Sequence, residues 1–183
     1  YMTYDFLGSA YLRSSSEELN IALSSIHKQT LKPNKVVLVF DGPVKSDLFE
    51  VVDKFRFFLK IDLLEFDKNY GLGTSLREGL KLCESKYVLR FDTDDYNFPL
   101  RAEKQISFMS IGDYDISSSS VLEFFNNIDN IISIRKVPIS EEKIKKMITF
   151  RNPFNHPSIC FKLDSIIKLD GGYRHFPFYE DYD

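Results

Sequence analysis

At 183 residues the chain has the length of one ordinary domain. Its 43% apolar and 15% aromatic content can fill a core, which argues against a disordered chain. A net charge of -3, from 24 basic and 27 acidic residues, excludes a fold-wide basic surface for nucleic acid.

No apolar run reaches the roughly 18 residues of a membrane helix. No charged start followed by an apolar stretch marks a signal peptide. Cys83 and Cys160 form neither a CxxC pair nor a metal spacing, so they read as core thiols in a reducing compartment rather than a disulfide. The chain opens on Tyr1 and stops at Tyr182-Asp183, inside a charged and aromatic segment without a helix stop signal. The native protein is therefore expected to be longer, mainly at the C-terminus.

The pattern along the chain alternates strands with amphipathic helices. Phe6 to Tyr11 reads as a first strand. Ser15 caps a helix, with Glu18 completing a capping box and Leu19, Ala22, Leu23 and Ile26 at helical spacing. Lys35 to Phe40 is a nearly continuous apolar run, as in a strand buried on both faces. Leu48, Val51, Val52, Phe55 and Leu59 mark a second helix, and Ile61 to Phe66 a third strand. A polar loop from Asp67 to Gly73 leads to a helix carrying Leu76, Leu80 and Cys83. Tyr87 to Phe91 is a fourth strand, and Pro99 suits the first turn of the next helix, with Ala102, Ile106 and Met109. Beyond residue 112 the order changes. Tyr114 to Phe125 and Ile131 to Val137 read as strands joined by a turn at Asn126 to Asn130. Ser140 to Met147 reads as a short helix and Pro157 to Phe161 as a further strand. This order predicts an α/β fold with a mainly parallel sheet and helices on both faces.

In such sheets ligands bind beyond the carboxyl ends of the strands. Ser9 and Tyr11 lie at the end of the first strand, Asp41 at the end of the second, and Asp92, Asp94 and Asp95 at the end of the fourth. Three carboxylates within four residues repel one another, and a divalent cation would relieve that repulsion. Alone, the cluster reads equally as a solvated acidic turn.

The stretches Ser9-Ala10-Tyr11, Ala22-Leu23-Ser24-Ser25-Ile26 with Gln29-Thr30, and Val37-Leu38-Val39-Phe40-Asp41-Gly42 form the start of a series. It continues with Asn69-Tyr70-Gly71-Leu72-Gly73, Gly79-Leu80, Arg90-Phe91-Asp92-Thr93-Asp94-Asp95 and Pro99-Leu100-Arg101-Ala102-Glu103-Lys104-Gln105. It ends with Asn155-His156-Pro157-Ser158, Gly171-Gly172-Tyr173 and Glu180-Asp181. In this order, over nearly the whole chain, the series resembles a family 2 glycosyltransferase of the GT-A fold, of the bacterial surface-polysaccharide type. Each piece is weak; the sequence of pieces carries the likeness.

The resemblance implies a single GT-A catalytic domain over 1–183, Rossmann-like, with a smaller mixed C-terminal part. Residues 1–111 would form its nucleotide-binding half and 112–183 its acceptor-side half. It implies metal-dependent, inverting transfer from a nucleotide-sugar, a UDP-sugar, to an acceptor hydroxyl in polysaccharide or glycoconjugate synthesis. The cofactor would be Mn²⁺ or Mg²⁺, the acceptor a saccharide or lipid-linked saccharide, and the place cytoplasmic, at the inner face of the plasma membrane. Ser9 and Tyr11 would line the uridine pocket and Asp41 would hydrogen-bond the uracil. Asp94 would bind the metal, Asp92 would lie near ribose or metal, and Asp181 would be the catalytic base. Asp95, Arg101, His156 and Glu180 are possible substrate contacts. Arg101 reads equally as a brace for its loop, and His156 equally as a packed histidine. Where many members have Ala-Arg-Asn, this chain has Ser75-Leu76-Arg77, so that arginine's phosphate contact does not carry over. Phe40-Asp41-Gly42-Pro43 keeps one acid where Asp-Asp-Gly-Ser is usual.

Two other readings fit parts of the chain. Asp92-Thr93-Asp94 also resembles the Asp-x-Asp of haloacid-dehalogenase-like phosphatases, although there the motif ends the first strand of the domain. A nucleotide-sugar-binding module without turnover would use the same cleft.

Overall fold

The computed structural model describes residues 2–169 and 172–174. Its main sheet has the order β3-β2-β1-β4-β8-β5. The first four strands to form it, β1 (Tyr4–Ala10), β2 (Lys35–Phe40), β3 (Ile61–Glu65) and β4 (Tyr87–Arg90), run parallel. Between them lie α1 (Ser16–His27), α2 (Ser46–Arg56) and α3 (Leu72–Leu80), and α4 (Arg101–Gly112) follows β4. β5 (Ile116–Ser117) closes the far edge, and β8 (Cys160–Lys162) runs antiparallel to both its neighbours. β6 (Val121–Phe125) and β7 (Asn127–Arg135) form a separate hairpin, followed by α5 (Glu141–Met147); α6 (Leu163–Ile167) follows β8. The expected mainly parallel sheet with helices on both faces is what forms.

Alternation along the strands builds two cores. Tyr4, Phe6, Leu38, Leu89 and Phe91 pack with α1, α2 and α4 residues on one face. Leu7, Val37, Val88 and Phe161 pack with Leu76 and Leu80 of α3 on the other. Both cysteines are free and buried, one in each core. Burial pushes both thiols up to about 12, which suits packing rather than reactivity.

Several boundaries differ from the sequence expectation. β1 runs from Tyr4 to Ala10, starting two residues earlier than expected, and Asp5 within it is a buried clamp. Its carboxylate accepts from the Glu84 and Ser85 N–H groups and the Ser85 hydroxyl. α4 begins at Arg101, so Pro99 precedes it; the Pro99 carbonyl accepts from Thr30. The stretch from Tyr114 to Phe125 is two strands, not one. Residues 118–120 leave the sheet, and Ser118 and Ser119 bond to Ser158 and Asn155 instead. The hairpin turns tightly at Asn126, in the left-handed region at φ 62°, rather than over five residues. The strand expected from Pro157 is a 3-10 turn, His156–Ser158, then β8.

Several polar contacts tie the end of the first helix to the loop after the acidic cluster, and Gln29 makes three of them. Gln29 is buried just after α1. Its Nε2 donates to the carbonyls of Asn97 and Phe98 at 3.1 and 2.8 Å, and its Oε1 accepts from the Ala102 N–H at 3.0 Å. Gln29→Leu keeps the volume but strands all three partners. The expected loss is about 3 kcal/mol, a fall in Tm of roughly 6–12 °C for a chain of this size. A thermal melt within a degree of wild type would refute the clamp.

Candidate active site

β2, β1 and β4 are neighbours, so their carboxyl ends open on one edge of the sheet. There a cleft of about 430 Å³ is lined by Ser9, Tyr11, Asp41, Asn69, Gly71, Arg90, Asp92 and Asp94. Topology thus brings together residues more than 80 positions apart in the chain.

Asp41 is buried at the end of β2. Its Oδ1 accepts from the Tyr70 N–H at 2.7 Å and its Oδ2 from the Gly71 N–H at 3.0 Å. The carboxylate therefore holds the loop that leads into α3, and each oxygen retains lone-pair capacity toward the cleft. Gly42 allows this loop to come close. Its φ is +88°, and a Cβ there would lie 2.6 Å from the Asn69 backbone nitrogen. Ser9 is nearly buried, while Tyr11 is half exposed, its N–H donating to the Ser14 hydroxyl.

The acidic cluster divides into three environments. Asp92 is ion-paired through Oδ1 to Nη2 of Arg90, whose side chain is 1% exposed. Among the described residues Nε and Nη1 of Arg90 have no hydrogen-bond partner, and Asp92 is the anion paired with this charge buried in β4. Asp94 is exposed and makes no hydrogen bond or ion pair with the described residues. Asp95 donates its backbone N–H to the Asp92 carbonyl. Burial, reinforced by the Asp92 and Asp94 charges, pushes its carboxyl up to about 6. It lines a second hollow rather than the cleft.

The other expected contacts are placed as follows. Arg101 has its donors spent inside the protein: Nε on Gln105, Nη1 on Asn97, and Nη2 on the carbonyls of Arg90 and Ile159. That is the brace rather than a free phosphate ligand. His156 is buried, with Nε2 3.1 Å from the Tyr173 hydroxyl. Arg77 lies on α3 and pairs with the adjacent Glu78. Glu180 and Asp181 lie outside the described residues.

Arg90 was not singled out by sequence reasoning. Its signal was available: a cation inside a strand whose other residues are core has to be paired. Among the described residues no three His, Cys, Asp or Glu side chains converge as a ready-made metal centre. Of the carboxylates lining the cleft, Glu18 and Asp94 have no ion pair among the described residues, and Asp94 is the one that stands beside the partly exposed Asp92. Such hard oxygen donors suit a dication whose remaining positions are filled by phosphate and water.

The chain matches the family described as "Glycosyl transferase family 2" over residues 9–168. It is 36% identical to the amylovoran biosynthesis glycosyltransferase AmsE of Erwinia amylovora, over 98% of this chain and 67% of that protein. It is 42% identical to an Escherichia coli UDP-Gal:alpha-D-GlcNAc-diphosphoundecaprenol beta-1,3-galactosyltransferase, over 98% of this chain and 65% of that protein. The chain thus spans about two thirds of the length of these relatives. The structure of S. aureus TarS 1–349 in complex with UDP-GlcNAc superposes with a TM-score of 0.73 at 23% identity, covering 99% of this chain and 51% of that one. The fold is GT-A, as the resemblance implied. With most of its length matching the family and two relatives above 30% identity, the chain belongs to glycosyltransferase family 2.

Proposed function

We propose that the chain is the donor-binding and catalytic core of a metal-dependent glycosyltransferase. It moves a sugar from a UDP-sugar to a hydroxyl of a lipid-linked saccharide, with inversion, during surface-polysaccharide synthesis. The observation that carries this is the convergence of Asp41, Asp92 and Asp94 on one cleft at the carboxyl edge of the sheet. The Escherichia coli relative, named for a UDP-Gal donor and a diphosphoundecaprenol acceptor, supports the choice of substrates. So does the UDP-GlcNAc held by TarS on the same fold. An acceptor of that kind places the work at the cytoplasmic face of the membrane.

Each residue then has one task. Ser9 and Tyr11 flank the uridine. Asp41, fixed by the Tyr70 and Gly71 amides, accepts from the uracil N–H. Asp92, held by Arg90, keeps Oδ2 for a ribose hydroxyl. Asp94 would hold a divalent cation, Mn²⁺ or Mg²⁺, which when bound would supply positive charge to offset that on a leaving diphosphate. Asp181 takes the proton from the attacking hydroxyl. A single base opposite the leaving group gives one in-line displacement, hence inversion.

The test is a melting panel of the chain with UDP, GDP and inorganic phosphate, with and without Mn²⁺. UDP with Mn²⁺ is expected to raise the folding free energy by about 2.7 kcal/mol at a hundredfold excess over Kd, and chelation to lower the gain. No shift with any nucleotide, together with release of phosphate from simple esters, would instead favour the phosphatase reading.

A further inference from the structure

A second hollow, of about 510 Å³, lies on the other side of the acidic turn from the nucleotide cleft. Asp95 stands at its margin, so the two spaces meet at the acidic cluster. One wall is α4 and the turn before it, with Phe98, Leu100 and Phe108, each about half exposed. The opposite wall is the β6–β7 hairpin.

That hairpin is two-sided. Register sets Leu122 opposite Ile134 and Phe124 opposite Ile131. The other face pairs Glu123 with Ser133 and Val121 with Arg135, and Glu123 accepts from both the Ser133 hydroxyl and the Arg135 guanidinium. Val121, Leu122, Phe124 and Ile128 line the hollow, whereas Glu123, Ser133 and Arg135 do not, so the hairpin turns apolar side chains toward it and its ion pair away. Yet Leu122 and Ile128 remain 37% and 39% exposed. Two apolar walls therefore face each other across an unfilled gap.

Polar groups in the hollow sort by depth. Arg101 and Gln105 are fully engaged with the protein and form a closed floor. Lys104, one helical turn from Arg101, is exposed on the wall and has no ion pair among the described residues. From the acidic cluster outward the surface thus presents a reacting centre, a free cation and then hydrocarbon walls. A sugar joined through a diphosphate to an isoprenoid chain presents the complementary order: hydroxyl, anion, hydrocarbon.

We infer that the groove between α4 and the β6–β7 hairpin receives the isoprenoid arm of a lipid-diphosphate acceptor, with Lys104 meeting its diphosphate. This rests on the proposed transfer to a lipid-linked saccharide. The polar floor is satisfied without the ligand, and the apolar walls supply affinity that grows with chain length.

The test measures binding of farnesyl diphosphate and ethyl diphosphate to the full chain, with UDP and Mn²⁺ saturating so that the nucleotide cleft is filled. Farnesyl diphosphate is expected to bind at least about tenfold tighter. Phe108→Gln and Leu122→Gln each abolish that preference, Lys104→Ala weakens both ligands alike, and all three variants keep wild-type affinity for UDP. Equal binding of the two diphosphates overturns the inference, as does a preference that neither apolar variant reduces. So does sedimentation showing a dimer that Phe108→Gln dissociates, which would assign the groove to a second copy of the chain. Failure of the wild type to bind UDP strikes the donor reading instead, and is scored separately.

Discussion

Asp94→Ala is expected to abolish sugar transfer while leaving the fold intact. Turnover falls by at least about a thousandfold, equivalent to roughly 4 kcal/mol of transition-state stabilisation, because the leaving diphosphate loses its counter-charge. The protein itself loses little, since Asp94 is exposed and pairs with none of the described residues. Its melting point without ligand stays close to wild type, and UDP still binds through Asp41, but added Mn²⁺ no longer tightens it. Asp92→Asn behaves differently. It removes the anion paired with Arg90, a guanidinium 1% exposed whose other two nitrogens have no partner among the described residues. The expected cost is about 1–3 kcal/mol of stability, less than for a fully buried pair because the Asp92 side is 37% exposed. The adjacent acids thus separate by assay: one variant is inactive and stable, the other is unstable first. Near-normal turnover of purified Asp94→Ala would sink the metal assignment.

What the sequence made legible follows from how far each signal reaches. KVVLVF announces β2 because a strand buried on both faces needs no partner to be recognised. Ser15 announces α1 because a cap acts over three residues, and its hydroxyl does accept from the Glu18 N–H. The convergence of Ser9, Asp41 and Asp92 followed from strand order, which alternation of strands and helices already implies. The same order speaks against the phosphatase reading, since the acidic motif ends β4, after three strand-helix units. Where contacts span the chain, the letters misled. Asp5 fell outside the expected first strand, yet it lies within β1 and anchors Ser85, 80 residues away. The serines at 118–120 looked like strand, yet their partners are Ser158 and Asn155. The acidic cluster read as one unit because its neighbours in space, Arg90 beneath Asp92 and the groove beside Asp95, carry no local mark.

Asp181→Asn should separate chemistry from binding. The amide keeps the size and hydrogen-bonding reach of the carboxylate but cannot take the proton of an attacking hydroxyl. Loss of a general base costs about 10²- to 10⁴-fold in turnover. Affinity for UDP, and its strengthening by Mn²⁺, is expected to match wild type, because the residues assigned to the donor are Ser9, Tyr11, Asp41, Asp92 and Asp94. The loss therefore falls on kcat and not on the donor's Kd, the reverse of Asp41→Ala, which releases the Tyr70 and Gly71 amides and weakens nucleotide binding first. The same reaction fixes a second observable. With one base facing one leaving group, the product carries the anomeric configuration opposite to the donor's, read by proton NMR of the glycoside. A retained configuration would require a nucleophile on the enzyme and a second displacement, and would remove Asp181 from the role of sole base. Unchanged turnover in Asp181→Asn would remove it from the reaction altogether.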